Sequence, residues 1–334
     1  MLHRFSKFVC GSTVFLLLAG SLVTSTESGL SVPDWPTTYG WNMFTFPPSK
    51  WVGGIFYEHG HRLIASLVGL LTIVLAAWIW RVESRRWMKR LGAAALAAVI
   101  FQGILGGITV LYFLPAPVST AHAALAEIFF SLTVAIALFT SPAWIRGDEA
   151  VDDAALRWVA TAATGLIFAQ ILIGAAMRHT DAGLAIPDFP LMFGRLIPDH
   201  WDGKIAVHFA HRVGALVVTM AVFAAAGHVW RHHRARRLLT RPAGLFVILV
   251  AIQLTLGALT VITGREVWVN SVHLVCGALV LATSIVITLR SWRVAFAMPR
   301  AASAVGAERE ADRAAAAALA VGRPGLQPDR GARA

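Results

Sequence analysis

Four histidines form two matched pairs along the chain. His61 and His211 each precede an arginine, and His122 and His273 follow them by 61 and 62 positions. Ionisable side chains inside apolar helices are costly and are usually functional. Two imidazoles that face each other across a four-helix bundle are natural axial ligands of haem iron. The sequence therefore predicts haem, with its iron as the bound metal, at these histidines.

Two other interpretations of the histidines remain open. A zinc site needs three or four close ligands, whereas each pair supplies two. A single histidine near a helix end is also commonly a hydrogen-bonded residue at the membrane interface. The twofold repetition of the pair favours haem over both.

An arginine follows the first histidine of each pair. Arg62 and Arg212 are predicted to lie near the outer membrane face, where a guanidinium can bind a haem propionate through two hydrogen bonds. The alternative is that each side chain extends to the interface to reach water.

The two halves differ three residues before that histidine. Glu58 occupies this place before His61, and His208 occupies it before His211. A spacing of three puts each residue on the same helix face as its histidine. A carboxylate beside a haem can move protons or stabilise a cation, which makes the first half the predicted reactive one. The alternative for Glu58 is a solvated acid at a helix start, where the helix dipole favours it.

The elements that must position these residues are long apolar segments. Hydrophobic residues make up 57% of the 334 positions and charged residues 14%, against about 25% charged in soluble domains. Eight apolar runs approach the roughly 20 residues that span a bilayer as a helix. They are Phe8–Val23, Leu63–Trp80, Leu91–Tyr112, Ala123–Phe139, Trp158–Met177, Ile205–Ala226, Ala243–Ile262 and Val272–Leu289. The predicted fold is an all-α integral membrane protein.

The net charge is +11, and the distribution of its basic residues indicates the orientation of the protein in the membrane and not nucleic-acid binding. Basic residues cluster in alternate connections, and such connections face the cytoplasm. The clusters are Arg81, Arg85, Arg86, Lys89 and Arg90, then Arg231, His232, His233, Arg234, Arg236, Arg237 and Arg241. Both termini are therefore expected in the cytoplasm of a multi-pass protein of the cell membrane. The N-terminal apolar run lacks a clear cleavage site and is interpreted as a retained span.

The chain is predicted to contain two copies of one unit. SGLSVPDWPTTYG, from residue 28, matches AGLAIPDFPLMFG, from residue 182, and the later matches keep an offset of 150 to 154. A repeat of this length means duplicated architecture. We expect tandem four-helix bundles at residues 1–145 and 146–294, followed by a disordered cytoplasmic tail at 295–334. Cys10 and Cys276 fall in the first and last spans and are interpreted as buried thiols.

These motifs together resemble the haem A synthase family over nearly the whole chain. The residues that carry the resemblance are the duplicated G-L-x-x-P-D-[WF]-P loop, Glu58-x-x-His61-Arg62, His208-x-x-His211-Arg212, and the two later histidines. The resemblance implies eight helices and the oxidation of a methyl group of haem O to a formyl group with O2. Terminal oxidases use the resulting haem A.

The resemblance also implies roles for individual residues. His61 and His122 would face substrate haem O, with Arg62 beside it, and Glu58 would be the essential acid. His211 and His273 would be the axial ligands of a haem b cofactor, with Arg212 and His208 lining its propionates or pocket. Haem O would be delivered by a haem O synthase, and electrons would enter through the second haem.

The first outer loop departs from the family pattern. Many bacterial relatives have a cysteine pair where this chain has Val32 and Thr38, so thiol chemistry is excluded there. Two rival functions also stay open, a bis-histidine cytochrome b that transfers electrons and a haem carrier or oxidase-assembly protein. The sequence leaves open the electron donor, the route of haem, the function of the tail and the oligomeric state, with a homo-oligomer as one alternative.

Overall fold

The fold is all-helical in the part of the chain that the structure describes. The computed structural model describes residues 1–148 and 150–321, and from residue 295 onward only the backbone. Nine α-helices occur in these residues. They are α1 (Leu2–Ser25), α2 (Gly54–Val82), α3 (Arg86–Leu111), α4 (Ala116–Phe139), α5 (Pro142–Arg146), α6 (Ala154–His179), α7 (Gly203–His232), α8 (Arg237–Ile262) and α9 (Val267–Val321).

Eight of these helices are long and apolar enough to cross a membrane, which confirms the predicted number of spans. In α9 the spanning part is Val267–Val294. The short helix α5 belongs to the connection between the two halves, and the predicted boundary at residues 145 and 146 lies within it.

The eight spans form two closed rings of four helices. In the first ring α1, α2, α3 and α4 pack in order and α4 returns to α1, and in the second α6, α7, α8 and α9 do the same. The rings meet where α1 and α4 pack against α6 and α9. Leu17, Phe130, Val134 and Ala278 form a buried apolar cluster at this junction. The predicted tandem four-helix bundles are therefore confirmed.

The alternating helix directions give the molecule two distinct ends. The capped end carries the long loops at residues 26–53 and 180–202. The basic end carries the connections at 83–85, 140–153 and 233–236, beside most of the clustered arginines. Asp153 and Asp202 begin α6 and α7 by accepting backbone N–H groups of Leu156 and Ile205 at 2.9 and 2.8 Å. Such side-chain acceptors satisfy helix N-termini that would otherwise be unpaired.

The helices extend beyond the apolar runs of the sequence. Helix α2 begins at Gly54, nine positions before the apolar run at Leu63, and its first turns carry the polar residues that were predicted to share one helix face. Helix α9 continues to Val321, so residues 295–321 have helical backbone where the sequence predicted disorder. Its alanine-rich composition after residue 310 has high helix propensity. Residues 322–334 of the predicted tail lie outside the described residues.

Candidate functional site

The two repeated loops fold alike at the capped end. Asp34 accepts the backbone N–H groups of Tyr39 and Gly40 at 2.7 and 2.9 Å, and both donors have positive φ. Asp188 accepts from the two matching residues of the second loop at 2.7 and 2.8 Å. Partial burial opposes ionisation of Asp34, but these hydrogen bonds hold its pKa below the usual value. The aspartate of each P-D motif therefore organises its own loop.

A buried ion pair fastens the first loop to α2. Glu58 is 3% exposed, and its two oxygens accept from the Val32 N–H and from Arg62, each at 2.7 Å. Arg62 also donates to the backbone carbonyls of Val32, Asp34 and Thr37 at 2.8, 2.7 and 3.0 Å. Glu58 thus binds a backbone N–H group of the loop, and Arg62 binds three of its backbone carbonyl groups.

His208 and Arg212 repeat this arrangement in the second half. Nδ1 of His208 accepts the Ile186 N–H at 3.2 Å, and Nε of Arg212 lies 3.1 Å from its Nε2. Arg212 donates to the carbonyls of Ile186, Asp188 and Leu191 at 3.0, 2.8 and 3.0 Å. His208 therefore occupies the structural place of Glu58.

The two arrangements differ in their acceptors. A carboxylate accepts at both oxygens, whereas a neutral imidazole has one acceptor nitrogen and can accept from only one of the two donors. Glu58 also neutralises the charge of Arg62, which His208 does not do for Arg212. The loop of the first half is consequently held more firmly.

These contacts bear on the predicted roles of the acid and the arginines. The burial of Glu58 does not fit the alternative of a solvated residue at a helix start. Arg62 and Arg212 direct most of their N–H groups at loop carbonyls. Propionate binding by these arginines stays a prediction.

Each of the four predicted histidines lies against a glycine of the preceding spanning helix. A Cβ added at that glycine would lie 2.9–3.2 Å from Cε1 of the imidazole. The pairs are His61 with Gly20, His122 with Gly106, His211 with Gly174 and His273 with Gly257. The glycines thus make room for the rings, and all four are repeat-matched in sequence.

Electrostatic interactions link the histidines within each half. His61 interacts with His122, and His211 interacts with His273, while the role of the four as haem ligands stays a prediction. All four stand within the first three turns of helices that begin at the capped end. Both pairs are therefore at the same depth, about 10 Å below the helix starts at a rise of 1.5 Å per residue.

Most of these imidazoles have an unused nitrogen. Among the described residues, the buried Nδ1 atoms of His61, His122 and His273 have no hydrogen-bond partner. Gln102 and Gln253 each place Nε2 3.4 Å from Nε2 of His122 and His273, a long contact. Buried polar atoms are normally satisfied, so unpartnered imidazoles favour a ligand.

His211 has an additional partner that the first half lacks. Gln170 on α6 lies 3.0 Å from its Nδ1 and donates to its backbone carbonyl at 2.7 Å. The repeat-matched position in the first half, 154 residues earlier, holds Leu16. The contact fixes the orientation of this one imidazole.

The first loop also packs against α3, one residue away from the glycine that lies beside His122. The indole of Trp35 lies so close to α3 that a Cβ on Gly107 would come within 2.5 Å of it. The second half has the smaller Phe189 and the larger Ala258 at the matching positions. The larger ring of the first half thus faces the smaller helix residue, and the smaller ring of the second half is matched with the larger one.

Val32 and Thr38, the two positions compared with the cysteine pair of the family, pack inside the first loop. Both are fully buried. The Thr38 hydroxyl lies 3.1 Å from Nδ1 of His59, whose ring contacts Phe46 and Trp51 with centroid distances of 5.1 and 4.7 Å. His59, which lacks a repeat counterpart, belongs to this packing.

A haem fits the residues present at both pairs. Each pair offers two imidazoles at similar depth, glycines that make room for the rings, and, among the described residues, at least one buried ring nitrogen without a hydrogen-bond partner. The glycines and Gln170 had no predicted role. The signal that could have identified the glycines is that each pair repeats at the offset of its neighbouring motif, 154 for Gly20 and Gly174 and 151 for Gly106 and Gly257.

The fold and the site define a duplicated eight-helix membrane protein with two histidines near the capped end of each half. A model of the family of cytochrome oxidase assembly proteins, COX15-CtaA, matches residues 45–285. The chain belongs to this family.

Curated relatives extend the match over most of the chain. A heme A synthase of Halalkalibacterium halodurans is 32% identical over 279 residues, which cover 81% of this chain and 90% of the relative. A heme A synthase of Symbiobacterium thermophilum is 33% identical, with 74% and 82% covered. A heme A synthase of Agrobacterium fabrum is 28% identical, with 82% and 85% covered.

Proposed function

We propose that this protein is a haem A synthase that oxidises a methyl group of haem O to a formyl group with O2. The observation that carries the proposal is the pair of repeat-matched histidine sites, in a chain similar over most of its length to heme A synthases. The bound porphyrin and O2 supply the oxidising chemistry, and the protein supplies position, charge and control of water.

The first bundle is proposed to hold haem O and the second to hold haem b. His61 and His122 would position the substrate, and His211 and His273 would bind the haem b iron. Gln170 supports this division, because it orients His211 and has Leu16 at its place in the first half. A fixed axial imidazole suits a haem that stays bound while electrons pass through it.

Glu58 is the proposed acid of the reactive half. Its carboxylate bridges the Val32 N–H and Arg62, so its charge is compensated and its position is fixed. A buried carboxylate held in this way can stabilise positive charge that develops on the substrate beneath the loop, or exchange a proton with it. Arg62 keeps the loop closed, which limits the access of water.

The membrane setting completes the proposal. We propose that the basic end faces the cytoplasm and the capped end the outside of the cell membrane, with both termini cytoplasmic, and the clustered arginines support this orientation. Haem O would arrive from a haem O synthase in the same membrane.

Haem extraction tests the reaction directly. The protein is produced in a host that supplies haem O but makes no haem A, and the extracted haems are separated by chromatography. We expect haem A with the parent chain and none with His61→Ala. Haem b alone in the parent extract would favour a cytochrome or a haem carrier.

Spectroscopy tests the division between the halves. His211→Ala or His273→Ala should remove a stable low-spin haem b spectrum from purified protein. His232→Ala, in the last turn of α7 far from the pocket, serves as the control. A haem b signal that survives both changes would contradict the assignment of the second bundle.

A further inference from the structure

A second cluster of ligand-type side chains lies at the basic end of the second bundle. Nε2 of His228 and Nε2 of His233 each lie 2.8 Å from the same oxygen, Oδ2 of Asp153. Within the described residues this is the one group of three such side chains whose ligand atoms lie within 4.8 Å of one another. The three side chains are 11–20% exposed, which leaves the cluster partly shielded but reachable from water.

We propose that Asp153, His228 and His233 bind one divalent transition-metal ion, with zinc as the best fit. Two imidazoles and one carboxylate form a common three-residue zinc ligand set, and water fills the fourth position. With zinc–ligand bonds of about 2.0–2.1 Å, neighbouring ligand atoms in a tetrahedron lie about 3.3 Å apart. The two separations of 2.8 Å from Asp153 would widen by about 0.5 Å, and the two Nε2 atoms, which lie within 4.8 Å of each other, would adopt a similar spacing.

The backbone already holds the three ligands in place. Asp153 is the N-cap of α6, and its other oxygen accepts the Leu156 N–H at 2.9 Å. His228 lies in the final turns of α7, and His233 is the C-cap residue of that helix. Since Oδ1 is used for capping and Oδ2 faces the imidazoles, the ion would join the start of α6 to the end of α7.

Charge makes Asp153 the decisive ligand. Arg231 in the last turn of α7, and Arg234 and Arg236 in the connection after it, disfavour a cation. Arg236 itself donates to the Ala150 carbonyl at 2.9 Å. An aspartate carboxylate is ordinarily an anion at neutral pH, with a reference pKa of about 3.9, and it supplies the negative charge that offsets these arginines.

The cluster is not a by-product of the duplication. At the repeat-matched places, 150 positions earlier, the first bundle has Trp78 and Glu83 in place of the two histidines. Glu83 there pairs with Arg85 at 2.5 Å. The proposed site is thus specific to the second bundle and lies at the opposite end from the haem pockets.

Zinc titration of the full-length, haem-loaded protein tests the site. The protein is purified in detergent through a tag without histidines, stripped with EDTA, and titrated with zinc chloride in competition with a chromogenic chelator. The test variants are Asp153→Asn, which can still cap α6 through its amide oxygen, and His228→Gln. His232→Gln is the matched control, because its ring lies 4.6 Å from that of His228 but outside the cluster.

We expect one tight zinc ion per chain in the parent and in the control. Affinity should fall by more than about tenfold in both test variants, since loss of even an outer-shell partner costs roughly 10–100-fold. The haem spectrum without zinc should match the parent in Asp153→Asn, while its melting temperature should fall, because the amide nitrogen cannot accept from the two histidines. Equal zinc affinity in Asp153→Asn and the parent would overturn the proposal, as would a parent that binds no zinc at micromolar concentrations.

Discussion

Replacing Gly174 by alanine should displace the imidazole of His211. The added Cβ would lie 2.9 Å from Cε1 of the ring. Carbon atoms rest at about 3.5–4.0 Å from each other, so the ring must move by about 0.6 Å or more. Overpacking of this kind costs about 1–3 kcal/mol, while Gly→Ala within a helix by itself gains roughly 0.5–1 kcal/mol.

The ring has little freedom to make this movement. Gln170 contacts its Nδ1 at 3.0 Å and the His211 carbonyl at 2.7 Å. We therefore expect Gly174→Ala to fold and insert normally but to lose most of the haem of the second bundle. The matched control is Gly165→Ala on the same helix, where the added Cβ meets no described atom within 4 Å.

The assay compares haem per polypeptide, the reduced-minus-oxidised spectrum and the melting temperature of both variants. Gly165→Ala should match the parent or melt slightly higher. Gly174→Ala should show a weaker low-spin haem signal at similar protein yield. Equal haem content in the two variants would refute the argument that this glycine makes room for an axial ligand.

Three further predictions concern the loops and the partners of the histidines. Glu58→Gln should leave haem O bound but lower the yield of haem A in a chromatographed extract, and a normal yield would remove Glu58 from the reaction. Joint replacement of Asp34 and Trp35 by alanine should lower haem occupancy without affecting membrane insertion, and unchanged occupancy would reduce the loop to a connector. Gln170→Leu, which copies Leu16, should shift the reduction potential of the second-bundle haem, and an unchanged potential would show that the amide does not tune it.

The number of spanning helices could be predicted from the sequence, because the thickness of the bilayer sets the length of each apolar run and its two faces set the distribution of basic residues. All eight spans are confirmed. The apolar run at Leu63 omits the first turns of α2, since hydropathy does not detect a helix turn built from Glu58, His61 and Arg62. The spacing of three between Glu58 and His61, and not hydropathy, predicted that they share a helix face.

The sequence predicted the histidine pairs but not the hydrogen bonds that hold the loops. His61 and His211 were recognised because they occupy matching positions in the two repeats. The bonds from Arg62 to three loop carbonyls depend on the folded path of residues 32–37, which no residue pattern specifies. For the same reason Asp153 and His228, 75 positions apart, were not connected in advance.

The equal depth of the two histidine pairs has an electrical consequence. A charge that crosses the full membrane potential gains or loses about 2.3 kcal/mol per 100 mV. The repeated helices place both pairs within the first three turns below the capped end, so a path between the pockets runs parallel to the membrane plane. An electron that moves along this path does almost no work against the transmembrane voltage. Exchange between the two bundles should therefore proceed at the same rate in energised and de-energised membranes.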